Sequence, residues 1–225
     1  MNGGLVALVP IRSLTGGKTR LAGAVPPESR TALTRRMLLG VVAAARESTT
    51  IEAVAVVSPD PETLSLAGGI GPDIYPVAQS PAEPGLNAAI DLGRRWAAER
   101  DASGILVLFG DLPLLTGVDV RNLVRRDAPV VLAPDRHGVG TNALLLRMGR
   151  SGQERTFTFH FGVGSYAAHV DEAHRLGLEA ATSISIGTAF DLDTPDDMRV
   201  LGWNVRAGPP AIAIGRPAGS EVECA

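Results

Sequence analysis

The sequence predicts an α/β chain built on a mostly parallel sheet, and three observations predict it. Five consecutive apolar residues, Ile105 to Phe109, are bounded by turn formers and read as a strand buried on both faces, as in the middle of a parallel sheet. Apolar runs then alternate with segments of helical periodicity along the chain, the order that right-handed crossovers require. At 225 residues, with 45% hydrophobic and 20% charged, the chain is long enough for one large domain around a single core and cramped for two. The expected organisation is one domain over residues 1–201 and a loosely ordered tail, 202–225, where Gly, Pro and Ala recur without a period.

Charge and cysteine usage narrow the partners. A net charge of -3 gives no general attraction for nucleic acid or an anionic membrane, so an anionic ligand has to be held by local cations or backbone amides. The one cysteine, Cys224, rules out a disulfide framework and a cysteine metal site. No apolar run is long enough to span a bilayer and the start, Met1-Asn2-Gly3-Gly4, lacks a signal-like pattern, so the expected location is the cytoplasm.

Leu5 to Pro10 is a first buried strand closed by proline, and it leads into Ile11-Arg12-Ser13-Leu14-Thr15-Gly16-Gly17-Lys18-Thr19-Arg20-Leu21. Glycines with Arg12, Lys18 and Arg20 directly after a first strand suit a loop that surrounds phosphates; a solvated basic loop is the alternative, and the Walker spacing is absent. Pro26-Pro27-Glu28 opens a helix, with an acidic residue favourable to its positive end. Its stripe of Leu33, Met37, Leu38, Val41, Val42 and Ala45 is explained by packing alone. Ile51 to Val57 reads as a second strand, Glu62 to Ala67 as a short helix and Asp73 to Pro76 as a third strand. The loop from Gln79 to Asn87 then enters a helix reaching about Glu99, where Gly85 and Asn87 suit a helix cap as well as a nucleotide contact.

After the central strand, Gly110 lets the backbone turn, and Asp111 projects a carboxylate from the strand's carboxyl end, where open α/β sheets bind ligands. The Gly-Asp pair alone is equally consistent with a plain turn. Thr116 to Arg126 reads as a helix, and Val130 to Ala133 and Ala143 to Arg147 as strands. The polar loop between those strands suits a hairpin, with Thr141 and Asn142 as candidates for a cleft wall. Gly162 and Gly164 flank a turn, and Ser165 is placed to cap a helix running to His174. Such a helix start fits a phosphate or carboxylate, or serves as a cap only. His169, one helical turn on, either shares that ligand or faces solvent. Ala181 to Ile186 is expected as a last strand. Thr194, Pro195 and Asp197 form a helix start of capping-box type, which leaves Asp191 and Asp193 unexplained. In extended backbone those two face the same side, and carboxylates gathered without a cation need a metal or solvent.

Six stretches in this order resemble one family: Val9-Pro10 with Lys18-Thr19-Arg20-Leu21; Pro84-Gly85-Leu86-Asn87-Ala88-Ala89; Gly110-Asp111-Leu112-Pro113; Gly140-Thr141-Asn142-Ala143-Leu144; Phe161-Gly162-x-Gly164-Ser165 with His169; and Asp191-Leu192-Asp193-Thr194-Pro195. Together they resemble the 2-phospho-L-lactate and phosphoenolpyruvate guanylyltransferases of coenzyme F-420 biosynthesis. The resemblance implies a three-layer Rossmann-like nucleotidyltransferase fold with a mixed, mostly parallel central sheet. It implies that Asp111 and one of Asp191 and Asp193, Asp191 first, hold Mg2+. Thr141, Gly162 and Ser165 would contact the phosphorylated acid, and Arg12, Lys18, Arg20, Gly85, Leu86 and Asn87 would face GTP. Arg12 stands where relatives often have lysine, a swap that keeps charge but alters donor geometry. The implied partners are GTP and a small phosphorylated acid, with no nucleic acid and no membrane. The sequence does not choose an oligomeric state, although a homodimer is the commonest assembly among soluble oligomers.

The chemistry fits those residue types. A phosphate oxygen of the acceptor would attack the α-phosphorus of GTP, and each pair of unit charges about 4 Å apart repels by roughly 4 kcal/mol at an effective dielectric near 20. Cations are therefore required, whereas an ionised acceptor phosphate needs no general base. Lys18, Asp111 and Asp191 are the expected catalytic set, Lys18 and Arg20 offsetting charge on the leaving pyrophosphate. Two other readings stay open: another nucleotidyltransferase of the same scaffold, for molybdopterin or a sugar 1-phosphate, and a non-catalytic nucleotide-binding module.

Overall fold

The computed structural model describes residues 3–149 and 153–203. Among them seven strands form one sheet: β1 (Leu5–Pro10), β2 (Ile51–Ser58), β3 (Ile74–Ala78), β4 (Gly104–Leu108), β5 (Val130–Pro134), β6 (Thr141–Arg147) and β7 (Ala180–Thr182), in the order β3-β2-β1-β4-β6-β5-β7. The strands of this sheet pair in parallel except at β6, which is antiparallel to β4 and β5. This is the mixed, mostly parallel α/β sheet expected. The reversal of β6 has a functional consequence: its first residues, Thr141 and Asn142, lie at the carboxyl end of β4, where Phe109 N–H donates to the Asn142 carbonyl at 3.3 Å.

Alternation along the strands builds three layers, because successive side chains point to opposite faces. Ala7, Val9, Val54, Val56, Leu106 and Leu108 pack with Leu38, Val41, Ala67, Val120 and Leu123 on one face. These last come from α1 (Pro27–Arg46), α2 (Pro61–Gly68) and α4 (Gly117–Val124). Val6, Leu8, Ala55, Val57, Ile105 and Val107 pack on the other face with Ile90 and Ala97 of α3 (Leu86–Ala98) and Ala173 of α5 (Ser165–Arg175), and with Phe157, Phe159 and Phe161. The short helices α6 (Ile186–Ala189) and α7 (Pro195–Val200) complete the described chain.

A third, smaller apolar cluster joins Leu21, Val25, Leu33 and Met37 to Leu192, Met198 and Trp203. It ties the basic loop after β1 to the Asp191–Asp193 segment. Trp203, which the composition assigned to the tail, is buried there; residues 204–225 of that expected tail lie outside the described residues.

Two local expectations are corrected. The last strand stops at Thr182: Ile184 and Ile186 are 77% and 75% exposed, and the Ser185 side chain accepts from Thr188 N–H to start α6. The cap of α5 is Gly164, in the left-handed conformation (φ 74°), and the Ser165 hydroxyl is committed elsewhere. No helix among the described residues is long and apolar enough to cross a membrane.

Candidate active site

The carboxyl ends of β1, β2 and β3 and the start of α3 enclose a cavity of about 700 Å³ lined by Pro10, Ile11, Arg12, Val57, Gln79 and Gly85, among others. It is the crevice that an open α/β sheet offers a ligand. Gln79, which the sequence reading left unassigned, braces its rim: the side-chain amide donates to the carbonyls of Glu83 (2.7 Å) and Gly85 (2.9 Å), leaving the side-chain oxygen as its other hydrogen-bonding atom. Leu86 follows Gly85 in the lining. Asn87 is occupied differently: its oxygen accepts from Phe161 N–H at 2.9 Å and its amide donates to the Phe161 carbonyl at 3.2 Å. Asn87 thus fastens the start of α3 to the Phe161–Gly162 turn in the way a neighbouring strand would.

Beside this cavity, at the end of β4, the acidic residues converge. A Cβ on Gly110 would meet Val9 and Ile11, and Ile11 lines the cavity, so Asp111 follows next to the cavity wall. The Asp111 carbonyl accepts from Leu192 N–H at 3.1 Å, which sets the Asp191–Asp193 segment against it. Leu192 is wholly buried, so the two flanking carboxylates are carried on an apolar anchor. The Asp197 carboxylate holds the same segment by accepting from Asp193 N–H (2.8 Å) and Thr194 N–H (2.7 Å) within the expected capping box. Arg136, which sequence reasoning missed, pairs with Asp197 at 2.5 Å and lies over the Phe190 ring. Its role was invisible because its partners lie 54 and 61 positions away in the chain.

Lys18 closes this group. Its ammonium donates to Asp111 Oδ2 at 2.7 Å and Asp193 Oδ1 at 2.9 Å, and only 8% of its side chain is exposed. Its backbone is left-handed (φ 56°), a conformation that costs a non-glycine residue on the order of 1 kcal/mol and clusters at functional sites. Burial works against the charged ammonium, but the Asp111 and Asp193 charges outweigh it and raise the Lys18 pKa. Arg20 is mostly exposed and approaches Asp193 at 3.9 Å.

The same carboxylates are short of positive charge. The Asp111 Oδ1 atom is buried with no hydrogen-bond partner. Asp191 has its pKa raised, first by burial and then by repulsion from Asp111 and Asp193, although Asn142 favours its charged form. The unpartnered Asp111 oxygen and the half-buried Asp191 carboxylate are oxygen donors of the kind Mg2+ takes, so these two residues fit that ion. Among the described residues no three acidic, His or Cys side chains stand ready as a complete metal cluster. Mg2+ is commonly held by one or two carboxylates, with phosphate oxygens and water completing its shell.

On the far side of Asp111 stand the residues expected to face the acid. Thr141 N–H donates to Ser165 Oγ at 2.9 Å, and Thr141 Oγ1 lies 3.1 Å from His169 Nδ1. Thr141, Ser165 and His169 are all buried, so His169 does not face solvent. Gly162 has φ 143°, a backbone region that side chains rarely adopt, and a Cβ there would point into open space. The turn is therefore reserved for glycine by its backbone. Phe161 packs on Phe109 at 5.2 Å between ring centres, which seats this turn against the end of β4.

The cavity, the carboxylates and the glycine turn thus lie in one row across the sheet's carboxyl edge. Residues 5–202 match the family described as "Guanylyl transferase CofC like". The chain belongs to that family. It is 40% identical over 199 residues to the phosphoenolpyruvate guanylyltransferase of Rubrobacter xylanophilus, covering 87% of this chain and 92% of that protein. It is 36% identical over 205 residues to the Sphaerobacter thermophilus enzyme of the same name, covering 90% and 95%. The 2-phospho-L-lactate guanylyltransferase of Methanothermobacter thermautotrophicus is 29% identical over 194 residues, covering 85% and 81%. Family membership makes the chain a nucleotidyltransferase by class. The fold is shared with solved structures: a nucleotidyl transferase from Methanothermobacter superposes with a TM-score of 0.60 at 15% identity, covering 88% of this chain and 95% of that one. CMP:2-keto-3-deoxy-manno-octonic acid synthetase superposes with 0.57 at 13%, covering 88% and 97%.

Proposed function

We propose that this member of the family transfers GMP from GTP to a phosphorylated three-carbon acid, with Mg2+ and with release of pyrophosphate, as a cytoplasmic step of coenzyme F-420 biosynthesis. Phosphoenolpyruvate is the first acceptor to test, because relatives at 36% and 40% identity carry its name, ahead of 2-phospho-L-lactate and 3-phospho-D-glycerate. The observation that carries the reading is the meeting of Asp111, Asp193 and Lys18 beside a cavity large enough for a nucleotide.

In this reading the guanosine occupies the cavity, where the Gln79 side-chain oxygen is an acceptor for an N–H of the base. Arg12 and Arg20 meet the triphosphate, and Gly85-Leu86-Asn87 presents the start of α3 to it. Asp111 and Asp191 would hold Mg2+, which when bound offsets the charge of the triphosphate. The acid sits at the Gly162 turn, with the Thr141 and Ser165 hydroxyls beneath it. An oxygen of its ionised phosphate forms a bond to the α-phosphorus while the bridge to the β-phosphate breaks. The departing pair stays on pyrophosphate, and Lys18 stabilises that charge. No proton has to move, so catalysis rests on alignment and charge. Pyrophosphate release measured with GTP, Mg2+ and each acid in turn tests the proposal; no release with any of the three would overturn it.

A further inference from the structure

His169 is wholly buried in α5, and both ring nitrogens are engaged. The His160 backbone N–H approaches Nε2 at 2.9 Å. An amide N–H can only donate, so Nε2 must carry a lone pair. A neutral imidazole then has its one proton on Nδ1, and that proton points at Thr141 Oγ1, 3.1 Å away. A second proton on the ring would set N–H against N–H at Nε2.

We infer that His169 is a positioning residue for the acid: fixed as the neutral Nδ1–H tautomer, it donates to Thr141 Oγ1 and so turns the Thr141 hydroxyl proton toward the bound acid. The Thr141 oxygen receives from the imidazole, and its own hydrogen is left to donate. Ser165 stands in the same relation, since its oxygen receives Thr141 N–H. Two buried hydroxyls are thereby polarised as donors toward an anion. This inference rests on the acceptor placement proposed above.

The surroundings hold the ring neutral. Phe157 and Phe161 pack against it with centres at 6.1 and 4.6 Å, and burial, then the neighbouring His160, lowers its pKa to about 4 in spite of the Glu172 charge. Glu172 itself is bonded to Arg175 through both oxygens and receives Thr158 N–H. His160, Glu172 and Arg175 are therefore the charged or titratable neighbours that face this network.

Long-range 1H–15N NMR on the wild-type protein reads the tautomer without substrate. The expected result is an Nδ1-protonated ring that stays unchanged between about pH 5.5 and 8; an Nε2-protonated ring, or titration in that range, would overturn the inference. His169→Gln can still accept from His160 N–H but cannot donate to Thr141, whereas His169→Asn places an amide donor near the Nδ1 position. The expected kinetics are a KM for the acid raised about tenfold in His169→Gln, with kcat and the KM for GTP little changed, and recovery in His169→Asn. A folded His169→Gln with unaltered KM for the acid would refute the positioning role. If the wild type transfers GMP to no acid, the functional reading fails while the tautomer is still decided by NMR.

Discussion

Replacing Asp111 by Asn separates the catalytic role of the carboxylate from its structural one. At 2.7 Å, the Lys18–Asp111 attraction is about 6 kcal/mol gross at an effective dielectric near 20. Most of that is offset by the desolvation of an ammonium only 8% exposed. Asn keeps an oxygen for Lys18, Lys18 keeps Asp193 at 2.9 Å, and Asp191 loses one of the two charges that repel it. These changes oppose one another, so unfolding free energy should move by less than about 2 kcal/mol, a few degrees in Tm. Activity should respond far more. A lost charge contact at the reacting phosphates is expected to lower kcat at least about a hundredfold, near 2.7 kcal/mol of transition-state stabilisation. Pyrophosphate release at saturating GTP gives the rate, and thermal unfolding with and without Mg2+ and GTP gives stability and binding together. Asp111→Asn that keeps its Tm and turns over within about threefold of the wild type would refute the proposed role of Asp111.

Three other outcomes are expected. Leu192→Ala empties a fully buried site between two functional aspartates and should cost about 2–4 kcal/mol, read by urea unfolding, with a loss of turnover in the surviving folded fraction. Asn87→Ala leaves the Phe161 amide and carbonyl without their side-chain partner, about 1–3 kcal/mol; because it fastens the α3 start to the Gly162 turn, the KM values for nucleotide and acid should rise together in steady-state kinetics. Asp191 has a folded pKa above its unfolded value, so between the two the folded state holds more protons and the group's contribution to stability falls as pH rises through that window. Asp191→Asn should therefore gain in Tm relative to the wild type as pH is raised from about 4 to 7, and added Mg2+ should narrow the gap at neutral pH.

The sequence by itself determined the layers. Ile105–Phe109 and Leu5–Pro10 are apolar at every position because strands buried on both faces have no polar side to show, and that pattern survives any change of neighbours. One cap was equally legible: Thr194 and Asp197 bond within three residues, so local spacing contains the whole interaction, whereas Ser165 reads as the cap that Gly164 in fact supplies. Motif order was enough to single out Lys18, Asp111, Asp191, Asp193, Thr141, Gly162 and Ser165 as residues worth locating. It misjudged the reach of β7, because two exposed isoleucines look apolar whichever way they face.

Only the tertiary structure decided what those residues do to one another. Lys18 and Asp193 meet across 175 positions because Leu21 and Leu192 share a small apolar cluster, a long-range packing event with no local signature. The antiparallel run of β6 places Thr141 at the end of β4, and strand direction is set by pairing partners, not by the strand's own residues. His169 is the clearest case. Its spacing from Ser165 suggested a shared ligand or an exposed ring, yet its function depends on which atom of His160 faces Nε2, and a hydrogen-bond direction exists only once two distant backbones have been brought together.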